Sequence, residues 1–460
     1  MPSDALFGPS LSTDLMLASV SDRAWVQAML DVEAALARAE SRLGIIPAAA
    51  ADGIATHCRV DEFDIAQLGR AAVRSATPVI PLVNALRAAV PKDAAPYVHH
   101  GATSQDILDT AMMLIARRGL GLVLADLEQA AAAAATLAER HRATVMAART
   151  LLQQALPTTF GLKAAGWLIA IVEARAELLR VAQTRLAVQF GGAAGTMAAL
   201  SGRGLDVMRE LSVELTLAEP TLPWHTARAR LVEVAAALGV AAGVAGKVAL
   251  DVALMAQTEV GEVFERSVVG RAGSSALPQK HNPVDAIEIL AGVRGINAQI
   301  AVLQAAMVQE QERAAGAWQA EWPAFAETLR LAGGAVFRMA SLLAGLQVDP
   351  ERMRRNLDLS GGRIMAEHVV ILLGEHVDRV MARALVDAAV STATATGRPF
   401  KDVLSEDSAI TAHLKPDELA AALEPAGYLG VTGPLIDRAL AAYRAQRGAG
   451  RTTTSGVSGD

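Results

Sequence analysis

A single cysteine, Cys58, stands in 460 residues, so the chain has no internal disulfide framework and suits a reducing compartment. Aromatic residues make up 3% against 52% hydrophobic in all, so the apolar content is mainly Ala, Leu and Val. Those residues favour helices, and the small ones let helices pack closely. Positive charge is not in excess: a net charge of −6 argues against general nucleic-acid binding, while a local group of cations can still hold an anion. The opening Met-Pro-Ser-Asp-Ala-Leu-Phe lacks basic and apolar regions, so no signal peptide is expected. The longest apolar stretches, such as residues 234–246, fall short of the ~20 residues of a membrane span. The expectation is a cytoplasmic protein with neither membrane nor nucleic acid as partner. No fixed-period repeat or strand-rich region is visible. The glycines at 191–195 lack the preceding strand of a dinucleotide fingerprint and read as a helix break.

What the chain has is helical periodicity. Apolar positions recur at helical spacing over 13–43, 62–74, 107–142, 160–188, 228–264, 283–309 and 322–346. This pattern predicts an all-α fold with four or five long antiparallel helices at its centre. The expected domains are a helical N-terminal domain over 1–110, a central bundle over 111–349 and a small helical domain over 350–446. The polar tail over 447–460 is expected to be disordered.

Three polar clusters interrupt the helices, at 99–106, 149–159 and 273–283, and Gln257-Thr258-Glu259-Val260-Gly261-Glu262-Val263 leads into the last. Polar breaks between apolar helices are where binding and chemistry usually sit. The last cluster reads Gly-Ser-Ser-Ala-Leu-Pro-Gln-Lys-His-Asn-Pro. It resembles the signature loop of the fumarase/aspartase/adenylosuccinate lyase superfamily, G-S-S-x-M-P-x-K-x-N-P, with Leu277 in place of the Met. The resemblance implies an all-α, three-domain lyase fold whose long helices assemble as a tetrameric multi-helix core. It further implies active sites shared between subunits, and neither cofactor nor metal.

Three more patterns narrow the resemblance. They are His99-His100-Gly101-Ala102-Thr103-Ser104-Gln105-Asp106, the run from Arg149 to Lys163, and Pro223-Trp224-His225-Thr226 with Trp318-Gln319-Ala320-Glu321-Trp322. Together they are most similar to the bacterial 3-carboxy-cis,cis-muconate cycloisomerase branch, which belongs to protocatechuate breakdown in the β-ketoadipate pathway. Adenylosuccinate and argininosuccinate lyases carry a histidine directly after Arg-Thr in the second region; here Leu151 takes that place. An amine leaving group needs a proton from a general acid. A carboxylate nucleophile is already ionised near neutral pH and leaves without a proton in reverse. Leu151 therefore fits lactonisation of a tricarboxylate. An adenylosuccinate-type lyase and a non-catalytic homologue are the alternatives.

By the resemblance, Ser274 handles the α-proton, with Ser275 beside it. Lys280 and Asn282 bind the carboxylate that takes up charge. Thr103, Ser104 and Gln153 are candidates for further carboxylate hydrogen bonds, and Arg149, Lys163 and Arg230 for further cations. His99 is a candidate substrate contact or proton partner; His100, next to it, points elsewhere. His225 is either a substrate contact or a hydrogen-bonded structural histidine, and Ala229 stands where an acidic residue is expected after it. Glu262 is expected to orient a neighbouring group, although Glu259 and Glu262 also suit structural ion pairs.

Overall fold

The computed structural model describes residues 6–266, 277 and 280–454. Its helices of more than twenty residues are α1 (Asp22–Arg42), α2 (Ser104–Arg140), α3 (Phe160–Thr184), α4 (Ala229–Met255), α5 (Val284–Ala305), α6 (Ala317–Gly345) and α7 (Thr432–Thr454). Shorter helices fill most of the remainder, as the all-α expectation requires.

Local chemistry sets several boundaries that periodicity misplaces. The helix expected over 13–43 is split, because the Ser21 hydroxyl accepts the Ala24 N–H and starts α1 afresh after Asp14–Ser19. The helix expected to reach 264 stops at Met255. The Gln257 carbonyl closes a turn on Val260 and Gly261, and Gly261 adopts φ +59°. The chain then leaves as strand β3 (Val263–Phe264), antiparallel to β4 (Gln347–Val348). α7 runs to Thr454 through a stretch expected to be disordered, and residues 455–460 lie outside the described residues.

The second polar cluster is a β-hairpin, which the sequence reading did not foresee. Strand β1 (Val145–Thr150) pairs with β2 (Gln153–Thr159) around a two-residue turn. Leu151 and Leu152 form that turn with φ of +49° and +65°. A turn with both central residues at positive φ matches the twist of the strands but favours Asn and Gly. Leucine there costs about 1–2 kcal/mol per residue in backbone strain.

Two compact units emerge among the described residues, each drawn from three stretches: those within 1–128, 173–249 and 287–339 form the first, and those within 129–172, 250–286 and 340–460 the second. In the first, α1 buries Val26, Met29 and Leu30, α2 buries Met112 and Ile115, and α6 buries Leu329 and Val336. In the second, Val369, Leu373, Val386, Phe400 and Leu404 form a core of their own. By length and composition, α4 and α5 do reach the apolar content of a membrane span, contrary to the expectation. α4 nevertheless buries Val234, Leu238, Ala242, Ala245 and Val252, as a core helix does.

Gly334 on α6 shows how closely the backbones approach in the first unit. A Cβ there would stand 2.6 Å from the Leu11 carbonyl carbon and 2.7 Å from Ser12 Cα. Both neighbours are main chain, so relief requires a backbone shift. Gly334→Ala is expected to destabilise the protein by about 1–3 kcal/mol, the usual cost of overpacking. Calorimetry should record a lower Tm; an unchanged Tm would mean that the Leu11–Ser12 segment yields freely.

Candidate functional site

In the first unit the 99–106 cluster is held by one carboxylate. Asp106 opens α2, and its Oδ2 accepts the Thr103 N–H at 3.0 Å and the Gly192 N–H at 2.9 Å. Its Oδ1 accepts the Gly191 N–H at 3.0 Å and the His225 Nε2–H at 2.7 Å. Asp106 thus caps its own helix and ties the glycine-rich connection and the 225 segment to the loop. His225 is 4% exposed, so the structure gives it the hydrogen-bonded structural placement. The Thr103 and Ser104 hydroxyls have no hydrogen-bond partner among the described residues and are only partly covered.

Beneath this loop lies a buried ion network. Arg228, fully buried, donates to Asp109 Oδ2 at 2.6 Å and to Glu321 Oε2 at 2.6 Å. Burial disfavours its charge, but the two carboxylates outweigh that and hold the guanidinium firmly protonated. Trp318 Nε1–H and Gln105 Nε2–H also donate to Asp109, at 2.9 Å and 3.0 Å. The Trp224 and Trp318 segments, read from sequence as one pattern, therefore meet through Arg228. Arg313 donates to Gln105 Oε1 at 2.8 Å and to the Ala193 carbonyl at 2.9 Å. Sequence reasoning passed over Arg228, because a charged side chain at a helix start reads as solvent-facing, and Arg313, because it stands between two helices in a segment with no motif. Arg230 donates to the Arg185 carbonyl at 2.6 Å and lies 5.8 Å from the Trp224 ring centre.

The second unit brings Arg149 and Glu262 together. Arg149 Nη1 and Nη2 donate to Glu262 at 2.8 Å and 2.7 Å, and Asn356 Nδ2 donates to Glu262 Oε1 at 2.8 Å. Glu262 is fully buried, so this fork neutralises a charge that could not stand alone. Asn356 also donates to the Val260 carbonyl, and its own carbonyl accepts from Gln154. Gln153 is exposed at the hairpin end, and Leu151, beside it, is 97% exposed. Lys163 lies half-buried near the start of α3.

Of the signature loop, Ser274 and Ser275 lie outside the described residues. Leu277, Lys280 and His281 are exposed, and the Lys280 N–H donates to the Leu277 carbonyl at 3.0 Å. His281, Asn282 and Pro283 line a cavity of about 170 Å³ with Phe264, Glu265 and Gln347. Glu265 accepts the Asp285 and Ala286 N–H groups at 3.0 Å and 2.9 Å, so the start of α5 already holds an anion of the chain itself. A larger cavity of about 340 Å³ in the first unit is walled by Trp25, Met29, Leu68, Leu82 and Leu108, with Asp22 at its edge. Apolar walls and a carboxylate do not suit a polyanion.

The adjacent histidines each find a buried glutamate on α1. His99 Nδ1 meets Glu33 Oε1 at 2.7 Å, and His100 Nδ1 meets Glu40 Oε1 at 3.0 Å. Burial pushes the Glu40 carboxyl up to about 7, against the hydrogen bond and charge of His100 and with the charge of Glu33. The folded carboxyl thus keeps its proton to a higher pH than the unfolded one. That contribution to stability is complete below about 4.5 and is lost as the pH rises through about 7. Glu40→Gln mimics the protonated group at every pH. Its gain over the parent chain in urea unfolding should be near zero at about pH 4 and roughly 3 kcal/mol at about pH 8. An equal gain at both would refute the assignment.

Comparisons with known proteins agree with this architecture. A family model described as lyase matches residues 10–300, and one described as adenylosuccinate lyase C-terminus matches residues 362–439. The 3-carboxy-cis,cis-muconate cycloisomerase of Bradyrhizobium diazoefficiens is 48% identical over 95% of this chain and 97% of its own length. A nitrosuccinate lyase of Streptomyces davaonensis is 46% identical over 92% of this chain and 91% of its own. The crystal structure of the 3-carboxy-cis,cis-muconate lactonizing enzyme from Pseudomonas putida superposes with a TM-score of 0.91 at 39% identity, covering 96% of this chain and 99% of that one. With its signature residues, its helical architecture and these relatives in agreement, the chain belongs to the fumarase/aspartase/adenylosuccinate lyase superfamily, most like its 3-carboxy-cis,cis-muconate cycloisomerases.

Proposed function

We propose that the protein is a cycloisomerase that converts 3-carboxy-cis,cis-muconate to 4-carboxymuconolactone, in the catabolism of aromatic acids. The muconate cycloisomerase relatives support the substrate, and the observation in this chain that carries the exclusion of amine release is Leu151. Where amine-releasing relatives need a histidine, this chain places an apolar side chain at a hairpin tip, 97% exposed in the single chain. A nitro substituent also leaves as an anion, nitrite, and needs no proton. Leu151 therefore separates anionic from amine leaving groups, and nitrosuccinate belongs among the controls.

In the reaction one carboxylate oxygen forms a C–O bond to the β-carbon of the other unsaturated acid. The alkene electrons move onto that acid's carboxylate as an enediolate, and a proton then reaches the α-carbon. Both reacting ends belong to one molecule, so a site that holds them close supplies much of the acceleration. We assign Ser274 the proton transfer, with Ser275 as its neighbour, and Lys280 and Asn282 the enediolate. Thr103 and Ser104 offer hydroxyls unpaired among the described residues, Gln153 an exposed amide, and Arg230 a cation beside them in role. His99 is a substrate contact. Glu262 supports Arg149, so that cation reaches a substrate only as part of a neutral pair. His225 acts through Asp106.

We also propose that the chain works as a homotetramer with three domains per subunit and sites shared between subunits. Exposed apolar side chains on the long helices support this: Val240 and Leu250 on α4, Ile287 and Val302 on α5.

The test is ultraviolet loss of the conjugated diene of 3-carboxy-cis,cis-muconate, without added metal or nucleotide, with adenylosuccinate and nitrosuccinate in parallel. Rapid loss on the muconate alone is expected, and Ser274→Ala should lower kcat by about 10²-fold or more while folding is kept. Turnover of a control substrate in place of the muconate would reassign the substrate, and a fully active Ser274→Ala would move the proton to another group.

A further inference from the structure

Glu33 is 1% exposed on α1, far in sequence from every polar cluster of the site. A buried carboxylate is costly without partners. Its Oε1 bonds His99 Nδ1 at 2.7 Å, and its Oε2 has no hydrogen-bond partner among the described residues. The bond fixes which ring nitrogen is spoken for: with Nδ1 turned to Glu33, Nε2 is left for another group. Among the described residues none hydrogen-bonds it. The backbone holds the ring as well, because His99 sits in the left-handed region at φ +63°. A side chain accepts that conformation where the surrounding structure over-determines it.

We propose that Glu33 is a positioning residue for the reaction, orienting His99 so that its Nε2–H faces a carboxylate of the substrate. The inference rests on the cycloisomerase reading for its substrate, and on the Glu33–His99 geometry for its mechanism. The groups that bear on His99 are Glu33 from α1, Asp106 from α2 and Arg87 from the helix Val79–Ala89. Burial disfavours the charged ring and Arg87 adds to that, but the charge and hydrogen bond of Glu33, with Asp106, outweigh them and raise the pKa of His99. Glu40 pairs with His100 by the same contact two helical turns on, yet that ring is 33% exposed against 14% for His99. His99 is thus the more enclosed of the two, which suits a contact made away from water.

A cationic His99 is lost as pH rises, so it sets an alkaline limb on kcat/KM. Glu33→Gln keeps the shape of the side chain and removes its charge. The limb should then move down by about one pH unit, with about tenfold loss above it and little loss below. The change should fall mainly on KM, and Glu33→Asp should recover part of it. In a His99→Asn background, Glu33→Gln should add nothing. Nitrogen-detected NMR of the labelled His99 ring, in both the parent chain and Glu33→Gln, reads the same titration without turnover. A limb that stays in place, a loss equal at all pH values, or an unmoved ring titration overturns the proposal. A parent chain inactive on the muconate but with a ring titration moved by Glu33→Gln overturns the substrate reading and leaves the pair standing.

Discussion

The carboxylate of Asp106 is the constraint on which the first unit's loop depends. Four donors reach it, three from backbone and one from His225. Each comes from a segment with no regular structure of its own at that point, so the carboxylate does the work that a strand ladder or helix would do elsewhere. The left-handed turns at His99 and Gly101 follow from it, since the chain must reverse sharply to bring Thr103 onto the same group. Behind Asp106, one turn further along α2, Asp109 meets Arg228 and fixes the ground on which the loop stands. Successive turns of one helix thus hold the loop and its foundation.

Both units meet the same difficulty, a buried carboxylate, and resolve it differently. Glu262 receives a bidentate guanidinium and an amide. Glu321 and Asp109 share Arg228. Among the described residues Glu33 and Glu40 receive only a histidine each, and each keeps one oxygen without a partner. An arginine stays charged at any working pH, whereas a histidine is charged only below its pKa. The arginine-bound carboxylates are fixed fittings, whereas Glu40, with only a histidine beside it, is pushed up to about 7 by burial and responds to protons.

Much of this was legible in the sequence. Long apolar periodicity located α2 to α6, and the signature loop with the 99–106 cluster located the family. The hairpin was not legible, because Leu-Leu contradicts the turn chemistry that its positive φ values call for, and its strands read as a polar break. Glu33 and Glu40 were missed because a glutamate in a helix reads as solvated. A signal was present: both fall at seven-residue steps from buried Val26, on the stripe that faces the core. Arg149 was read as a cation for the substrate, and only the fold reveals that Glu262 lies opposite it.

The hairpin tip has a consequence for how the protein behaves on dilution. The turn is strained, and its two leucines are exposed in the single chain. Under the tetramer proposed above, in which subunits share sites, activity is a property of the assembly, and specific activity falls with protein concentration once subunits separate. On that proposal an isolated chain holds every catalytic side chain and is still idle.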